Sequence, residues 1–258
     1  MQKISTYLKA HAIIRRLLYV VAILGLLQVL LLLVFQPSHD RDWELGQEAL
    51  PFIAIDENDN IKITNFRDFD WQKEGETEPV YETRDYKLDQ LTSVDVLISH
   101  FAEFEGMAHI FLSFGFEDGE QVVISVETRR ELGEKFSPVL GILRQFEIIY
   151  VIGSEEDIIG VRTDVRDNER VYLYPTKANP EQAQQLFLKL TQDVNDVYKS
   201  PRMYNTLLRN CTNEITRRVE DISDVDFPVT WKTILPGYFD EVLYEMGLIE
   251  SDQPFSEV

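Results

Sequence analysis

The sequence predicts an α+β fold, an antiparallel sheet packed on helices, preceded by one transmembrane helix. Three observations carry the prediction. An uncharged run extends from Leu17 to Phe35, two apolar runs flank an Asp118-Gly119 turn, and the last third of the chain changes to helical spacing. With 258 residues, 44% of them hydrophobic and 27% charged, the chain has enough apolar side chains to bury a core.

Residues 1–36 hold four basic side chains (Lys3, Lys9, Arg15, Arg16) and no acid, whereas the remainder carries a net charge of −24. The 19 residues of the uncharged run, at about 1.5 Å of helical rise each, span roughly 28 Å, close to a bilayer's hydrocarbon thickness. Gln28 is its one strongly polar side chain. A cleaved signal peptide has a shorter apolar region and small residues before the cut, but this run ends Leu33-Val34-Phe35-Gln36-Pro37. A buried helix of a soluble core fits less well, because the run is apolar on all sides, as only a membrane span or the core helix of a large protein is. The basic flank comes first, so residues 1–16 form a cytoplasmic stub, residues 17–36 cross the membrane and the acidic bulk lies beyond it.

Residues 37–90 read as a loop-rich lead-in with one or two short strands, such as Ile61–Thr64. Asp56-Glu57-Asn58-Asp59-Asn60 begins like a calcium loop, but Ile61 stands where glycine is needed and Arg67 where glutamate is needed, so it reads as a solvated turn. Residues 91–258 form the main exported domain. Val94–Phe104, Ala108–Phe116, Gln121–Thr128, Phe146–Ile152 and Val171–Tyr174 have strand character, and the Glu117-Asp118-Gly119 turn predicts a hairpin. Asn179-Pro180 starts a helix running to Lys199 before Pro201. Further helices are expected over Cys211–Val219 and Phe239–Met246, the last closed by Gly247.

The overall charge of −20 opposes nucleic-acid binding. GxGxxG, P-loop, HExxH and GxSxG signatures are missing, and a single cysteine excludes an internal disulfide or a multi-cysteine metal cluster. Cys211 follows Asn210, a good helix cap. In a first helical turn the free backbone N–H groups favour thiolate and can hold an oxyanion. A thiol nucleophile needs a base. His11 is cytoplasmic, His39 lies in a loop just past the membrane, and His100 and His109 lie on strands. His109 is the better candidate: with a three-residue hairpin loop it faces Glu127, giving the series Cys211, His109, Glu127. With a two- or four-residue loop the partner becomes Thr128, and spacing does not choose between these registers. A small buried cysteine and a structural strand histidine are the plain alternatives. A metal site from His39, His100, His109 and Cys211 has no short ligand spacing behind it. The charged clusters 127–131 and 144–147 fit a solvated face or buried ion pairs equally well.

At these residues the sequence resembles a known family. Met107-Ala108-His109, Phe114-x-Phe116-x-Asp118-Gly119, Ser125-Val126-Glu127-x-Arg129-Arg130-Glu131, Leu143-Arg144-Gln145-Phe146-Glu147, Val171-Tyr172-Leu173-Tyr174-Pro175 and Tyr204-Asn205-Thr206-x4-Asn210-Cys211-Thr212 are similar to the Lnb N-terminal periplasmic domain family. Asp40-Arg41-Asp42-Trp43 and Leu235-Pro236-Gly237-Tyr238 extend the likeness over roughly residues 39–258. The order of strand His and then helix-opening Asn-Cys also resembles circularly permuted NlpC/P60-like thiol enzymes. The resemblance implies a papain-like core with Cys211 as nucleophile and His109 as base. The family's namesake moves a fatty acyl chain onto the amino terminus of a lipoprotein, and the expectation of one membrane helix at the front with no further membrane domain behind sets this sequence apart from that protein.

The resulting expectation is a single-pass protein of the inner membrane whose periplasmic domain forms an acyl-enzyme on Cys211. Glu127 would orient His109 and Asn210 would cap or stabilise an oxyanion. Tyr204, Asn205, Arg129, Arg130 and Arg144 are candidate binding residues. Such chemistry needs no cofactor or metal, and the expected partners are the bilayer and a lipoprotein, lipid or envelope-peptide substrate, without nucleic acid. The rivals are a cysteine peptidase or amidase acting on envelope peptides, a catalytically silent binding module and a scaffold.

Overall fold

The computed structural model describes residues 2–34, 36–74, 76–250 and 255. In chain order the elements are α1 (Gln2–Val34), β1 (Phe52–Ile55), β2 (Asn60–Arg67), β3 (Tyr81–Lys87), β4 (Leu91–His100), β5 (Ala108–Phe116), β6 (Gln121–Arg129), α2 (Pro138–Ile142) and β7 (Glu147–Gly153). They continue with α3 (Glu155–Ile158), β8 (Arg170–Pro175), α4 (Pro180–Lys199), α5 (Cys211–Ile222), α6 (Trp231–Ile234) and α7 (Phe239–Glu245). Within α1, Ile14–Val34 is a 21-residue stretch long and apolar enough to cross a membrane, and none of its described side chains is buried. Phe35 and the Gln28 side chain, both part of the expected membrane span, lie outside the described residues, as do Met1 of the stub, Gly75 of the lead-in and most of the tail beyond Glu250.

The fold is α+β, as the sequence predicts. Among the described residues, eight strands form one open sheet in the order β1-β2-β7-β6-β5-β4-β8, with β3 added against β2. Every pairing is antiparallel except a single parallel bridge between Arg67 and Gly153. Side chains alternate across a strand, so the sheet has two faces. Ala108, Ile110, Leu112 and Phe114 of β5 share one face with Val122, Ile124 and Val126 of β6, beneath Phe187 and Leu190 of α4 and Ile215 of α5. Phe111, Val123, Ile149 and Leu97 share the other, beneath Ile158 of α3. Both faces are covered, which is why the central strands read as nearly continuous apolar runs rather than as an alternation.

The lead-in contributes three strands where one or two were expected. β3 escapes a reading by hydrophobicity because it lies at the margin of the sheet, and its sequence Tyr-Glu-Thr-Arg-Asp-Tyr-Lys has no buried residue. The Asp56–Asn60 segment is the expected turn: Asp56 Oδ1 accepts the backbone N–H groups of Asn58 and Asn60, and Asp59 takes a left-handed φ of 58°. β4 stops at His100 rather than Phe104, because Phe104 carbonyl accepts from Met107 N–H in a turn. α5 continues past Val219 to Ile222.

The β5–β6 hairpin has the three-residue loop. Phe116 N–H donates to Glu120 carbonyl, Gly119 supplies the turn's left-handed residue at φ 89°, and Phe111 pairs with Ser125. The same register continued by two residues sets His109 opposite Glu127, one of the two alternatives that spacing left open.

Candidate functional site

A cavity of about 330 Å³ opens at the end of the sheet where β4 finishes, β5 begins and β6 finishes. Cys211 and Asn210 line it from the start of α5 and His109 from the second residue of β5, with Glu127 from β6 and Arg162 from a π turn after α3. Tyr204, Thr206 and Pro138 form a wall, and Ile234, Leu235 and Pro236 close another side. That last segment approaches the sheet because Gly237 lacks a side chain: a Cβ there would collide with the carbonyl oxygen of Glu105.

Cys211 owes its place to Asn210, whose side chain accepts from Asn213 N–H and caps α5 while its amide donates to Thr206 carbonyl. The cysteine is 5% exposed and packs with the core on the face covered by α4 and α5. Burial pushes its thiol pKa up. The backbone of Ile110, the side chain and backbone of Thr212 and the cysteine's own backbone pull it down without overcoming burial. The helix start therefore does stabilise thiolate, as its sequence implies, but desolvation outweighs it.

His109 approaches the cavity from the other face. Its ring stacks on Phe111 at 5.5 Å between centroids, and its Nε2 lies 2.7 Å from Ser125 Oγ. Ser125 Oγ donates to Glu127 Oε1 at 2.8 Å, and Arg162 donates to the same oxygen at 2.8 Å. Glu127 itself stays 3.9 Å from the imidazole. The expected direct His109–Glu127 contact is thus replaced by a serine bridge, since residues two apart on β6 share a face and Ser125 fits between them. Ser125 has one hydroxyl proton and gives it to the carboxylate, so it accepts the proton of His109 Nε2–H. The neutral ring then keeps a bare Nδ1 that can accept another proton.

Burial, with Arg162 second, lowers the His109 pKa to about 3 against the opposing pull of Glu127. Burial alone would raise Glu127, yet Arg162 and His109 hold its carboxyl well below the usual range. Arg162 is 3% exposed, its cation shared among Glu127, the Ile158 carbonyl and, at 4.0 Å, Glu169. Both Arg162 and Ser125 escaped the sequence reading. Strand parity could have found Ser125, but Arg162 comes from a turn with no local signature.

The family model of the Lnb N-terminal periplasmic domain matches residues 77–237. The chain belongs to that family. The Lnb periplasmic match starts just before β3 and ends at Gly237, so it holds Cys211, His109, Ser125, Glu127 and Arg162 and leaves out α1, β1, β2 and α7. Together with the apolar N-terminal helix it fits a single-pass membrane protein with a periplasmic domain. Comparison with curated proteins and with solved structures gave no match.

Of the other expected site residues, Tyr204, Asn210 and Arg130 line the cavity of this Lnb-type domain, and burial followed by Cys211 raises the Tyr204 pKa. Arg130 is already held by Glu44 at 2.8 Å. Arg129, Arg144 and Asn205 fall outside the lining. Arg129 is 2% exposed: it donates to the carbonyls of Gln47 and Glu48 and lies over Trp43, fastening the lead-in to β6, and burial lowers its pKa to about 10. Arg144 occupies a left-handed position at φ 63° after α2. The Asn205 side chain accepts from the Leu207 and Leu208 backbones and donates to Ile142 carbonyl, folding the loop before Cys211. The cluster 127–131 is thus mostly a set of buried or paired ions rather than a solvated face.

Proposed function

We propose that this protein is a membrane-anchored thiol enzyme of the periplasm, held in the inner membrane with its N-terminus in the cytoplasm. In this reading Cys211 attacks an ester or amide carbonyl of a lipoprotein or lipid and forms an acyl-enzyme, and His109 Nδ1 takes the thiol proton and returns it to the leaving group. Water or an amine then resolves the thioester, making the protein a hydrolase or an acyltransferase. One observation carries the proposal: a lone cysteine at a capped helix start and a histidine hydrogen-bonded to the Ser125 hydroxyl line the same cavity. Family membership and the papain-like resemblance agree with it. Backbone N–H groups of the first turn of α5 supply the oxyanion's donors.

The test is trapping. The full chain, incubated with phospholipid or lipoprotein esters and quenched with acid, should carry an acyl mass on Cys211 that is absent from Cys211→Ala. His109→Gln should slow adduct formation and move its pH profile. Cleavage of envelope peptides without any acyl adduct would favour the peptidase alternative.

A second reading has its own observation. Cys211 packs on the face covered by α4 and α5 and His109 on the opposite face, and burial disfavours both charged forms. A silent binding module would keep such a cavity without using the sulfur. A thiol probe that labels Cys211 no faster than a free model thiol, with no change in His109→Gln, would select it.

A further inference from the structure

We propose that the rim of this cavity is itself a membrane-docking surface, which inserts apolar side chains into the periplasmic leaflet of the bilayer that anchors α1. The inference rests on reading Ile14–Val34 as a membrane anchor. It requires nothing of the Cys211 chemistry.

Large apolar side chains stand in water next to cavity-lining residues: Leu132 (77% exposed), Val139 (64%), Leu207 (52%), Leu208 (79%), Trp231 (57%) and Ile234 (52%). Their elements are joined: Glu134 N–H donates to Glu131 carbonyl and Gln145 Nε2 to Glu134 Oε1, tying the turn that carries Leu132 to the end of α2, and Trp231 and Ile234 share α6. Thr206 Oγ1 donates to Pro138 carbonyl and Asn205 amide to Ile142 carbonyl, tying the 205–208 loop to α2, while Ile234 lines the same cavity as Pro138 and Thr206. Scattered apolar side chains on a surface need no explanation, but a cluster around a cavity mouth marks a binding face.

The occupant follows from the path of the chain. Ser38 N–H donates to Glu147 at 3.0 Å, Arg41 pairs with Glu131 and Glu147, and Leu132 N–H donates to Asp42 carbonyl at 2.7 Å. The segment leaving the anchor is therefore fastened beside Leu132. Three residues separate the end of α1 at Val34 from Ser38, at most about 14 Å of extended chain over the four steps, about twice the thickness of one interfacial layer. The tether also holds the rim near the lipid at an effective concentration on the order of millimolar, so weak insertion suffices. A domain this acidic is not drawn to anionic headgroups, so the attraction is apolar and insensitive to salt.

The experiment uses the full chain in proteoliposomes of phosphatidylethanolamine and phosphatidylglycerol doped with acyl-chain-brominated phosphatidylcholine, and reads tryptophan quenching. Trp231 should be quenched by the brominated chains and shielded from aqueous iodide. Trp231→Phe should lose most of the lipid quenching. Leu208→Glu, at an exposed position where folding is not at risk, should reduce it with circular dichroism unchanged. High salt should leave the signal in place. Equal quenching of wild type and Trp231→Phe overturns the proposal, as does Trp231 open to iodide. Shielding without lipid quenching, together with cross-linked dimers through the rim, assigns the face to a second copy and also overturns it. None of these readouts involves the thiol, so failure here and failure of the acyl adduct are separate results.

Discussion

Replacing Ser125 with alanine tests how the imidazole is held. The hydroxyl makes two short hydrogen bonds, to His109 Nε2 at 2.7 Å and to Glu127 Oε1 at 2.8 Å. Without it Glu127 keeps Arg162, so the carboxylate is not stranded. The imidazole N–H loses its partner, and a buried donor left unpaired costs about 1–3 kcal/mol. His109 lines an open cavity, so water recovers part of that and the expected loss is about 2 kcal/mol. Urea unfolding of the full chain in detergent, followed by tryptophan fluorescence, should show this as a lower midpoint at constant slope. Imidazole nitrogen NMR should show the single Nε2–H tautomer of the wild type giving way to a mixture. Ser125→Thr, which keeps the hydroxyl, should restore both. A Ser125→Ala protein within about 0.5 kcal/mol of wild type, with its tautomer unchanged, would refute the serine bridge.

Two further outcomes follow from the buried charges. His109 has an ordinary pKa of 6.5 when unfolded and about 3 when folded. Below 6.5 the unfolded chain takes up a proton that the folded site refuses, so stability falls as pH drops toward 3, by up to about 1.4 kcal/mol per pH unit. Glu127, whose folded pKa is also lowered, adds a loss in the same direction at more acidic pH. His109→Gln should flatten the stability curve between pH 6 and 5, in a urea series, and parallel curves would contradict the assignment. Asp157, fully buried, accepts from Arg67 through two nitrogens and from Phe69 N–H and Trp71 Nε1. Asp157→Asn leaves the Arg67 cation uncompensated and should cost about 3–5 kcal/mol, read as a large fall in the thermal midpoint. A loss below about 1 kcal/mol would show that solvent reaches the pair.

Much of the site's framework was legible because local chemistry decides it. Asn210 before Cys211 places the cysteine in a first turn whatever the rest of the fold does, and Glu117-Asp118-Gly119 admits a hairpin whose register depends only on loop length. Long-range pairing was not legible. Arg129 and Arg130 are adjacent and alike in sequence, yet parity sends Arg129 into the lead-in's carbonyls and Arg130 toward the cavity and Glu44. Arg162 reaches Glu127 only because β7, α3 and the π turn fold back over Phe111. Its one trace in the sequence is indirect: a carboxylate on a buried strand requires a counter-charge from somewhere.

The same parity constrains the chemistry. Ala108 and Ile110 face α5, so His109 between them must point away from the helix that carries Cys211. In mid-sheet that would separate the two groups by the sheet's thickness. They share a cavity only because His109 is the second residue of its strand and Cys211 the first of its helix, both at the sheet's open end. Any coupling between them is therefore confined to this end of the sheet, where Met107 and Ala108 line the same cavity. A thiol-labelling pH profile that responds to His109→Gln would show such coupling. An indifferent profile would mean that strand parity keeps the two groups apart, leaving the cavity to binding alone.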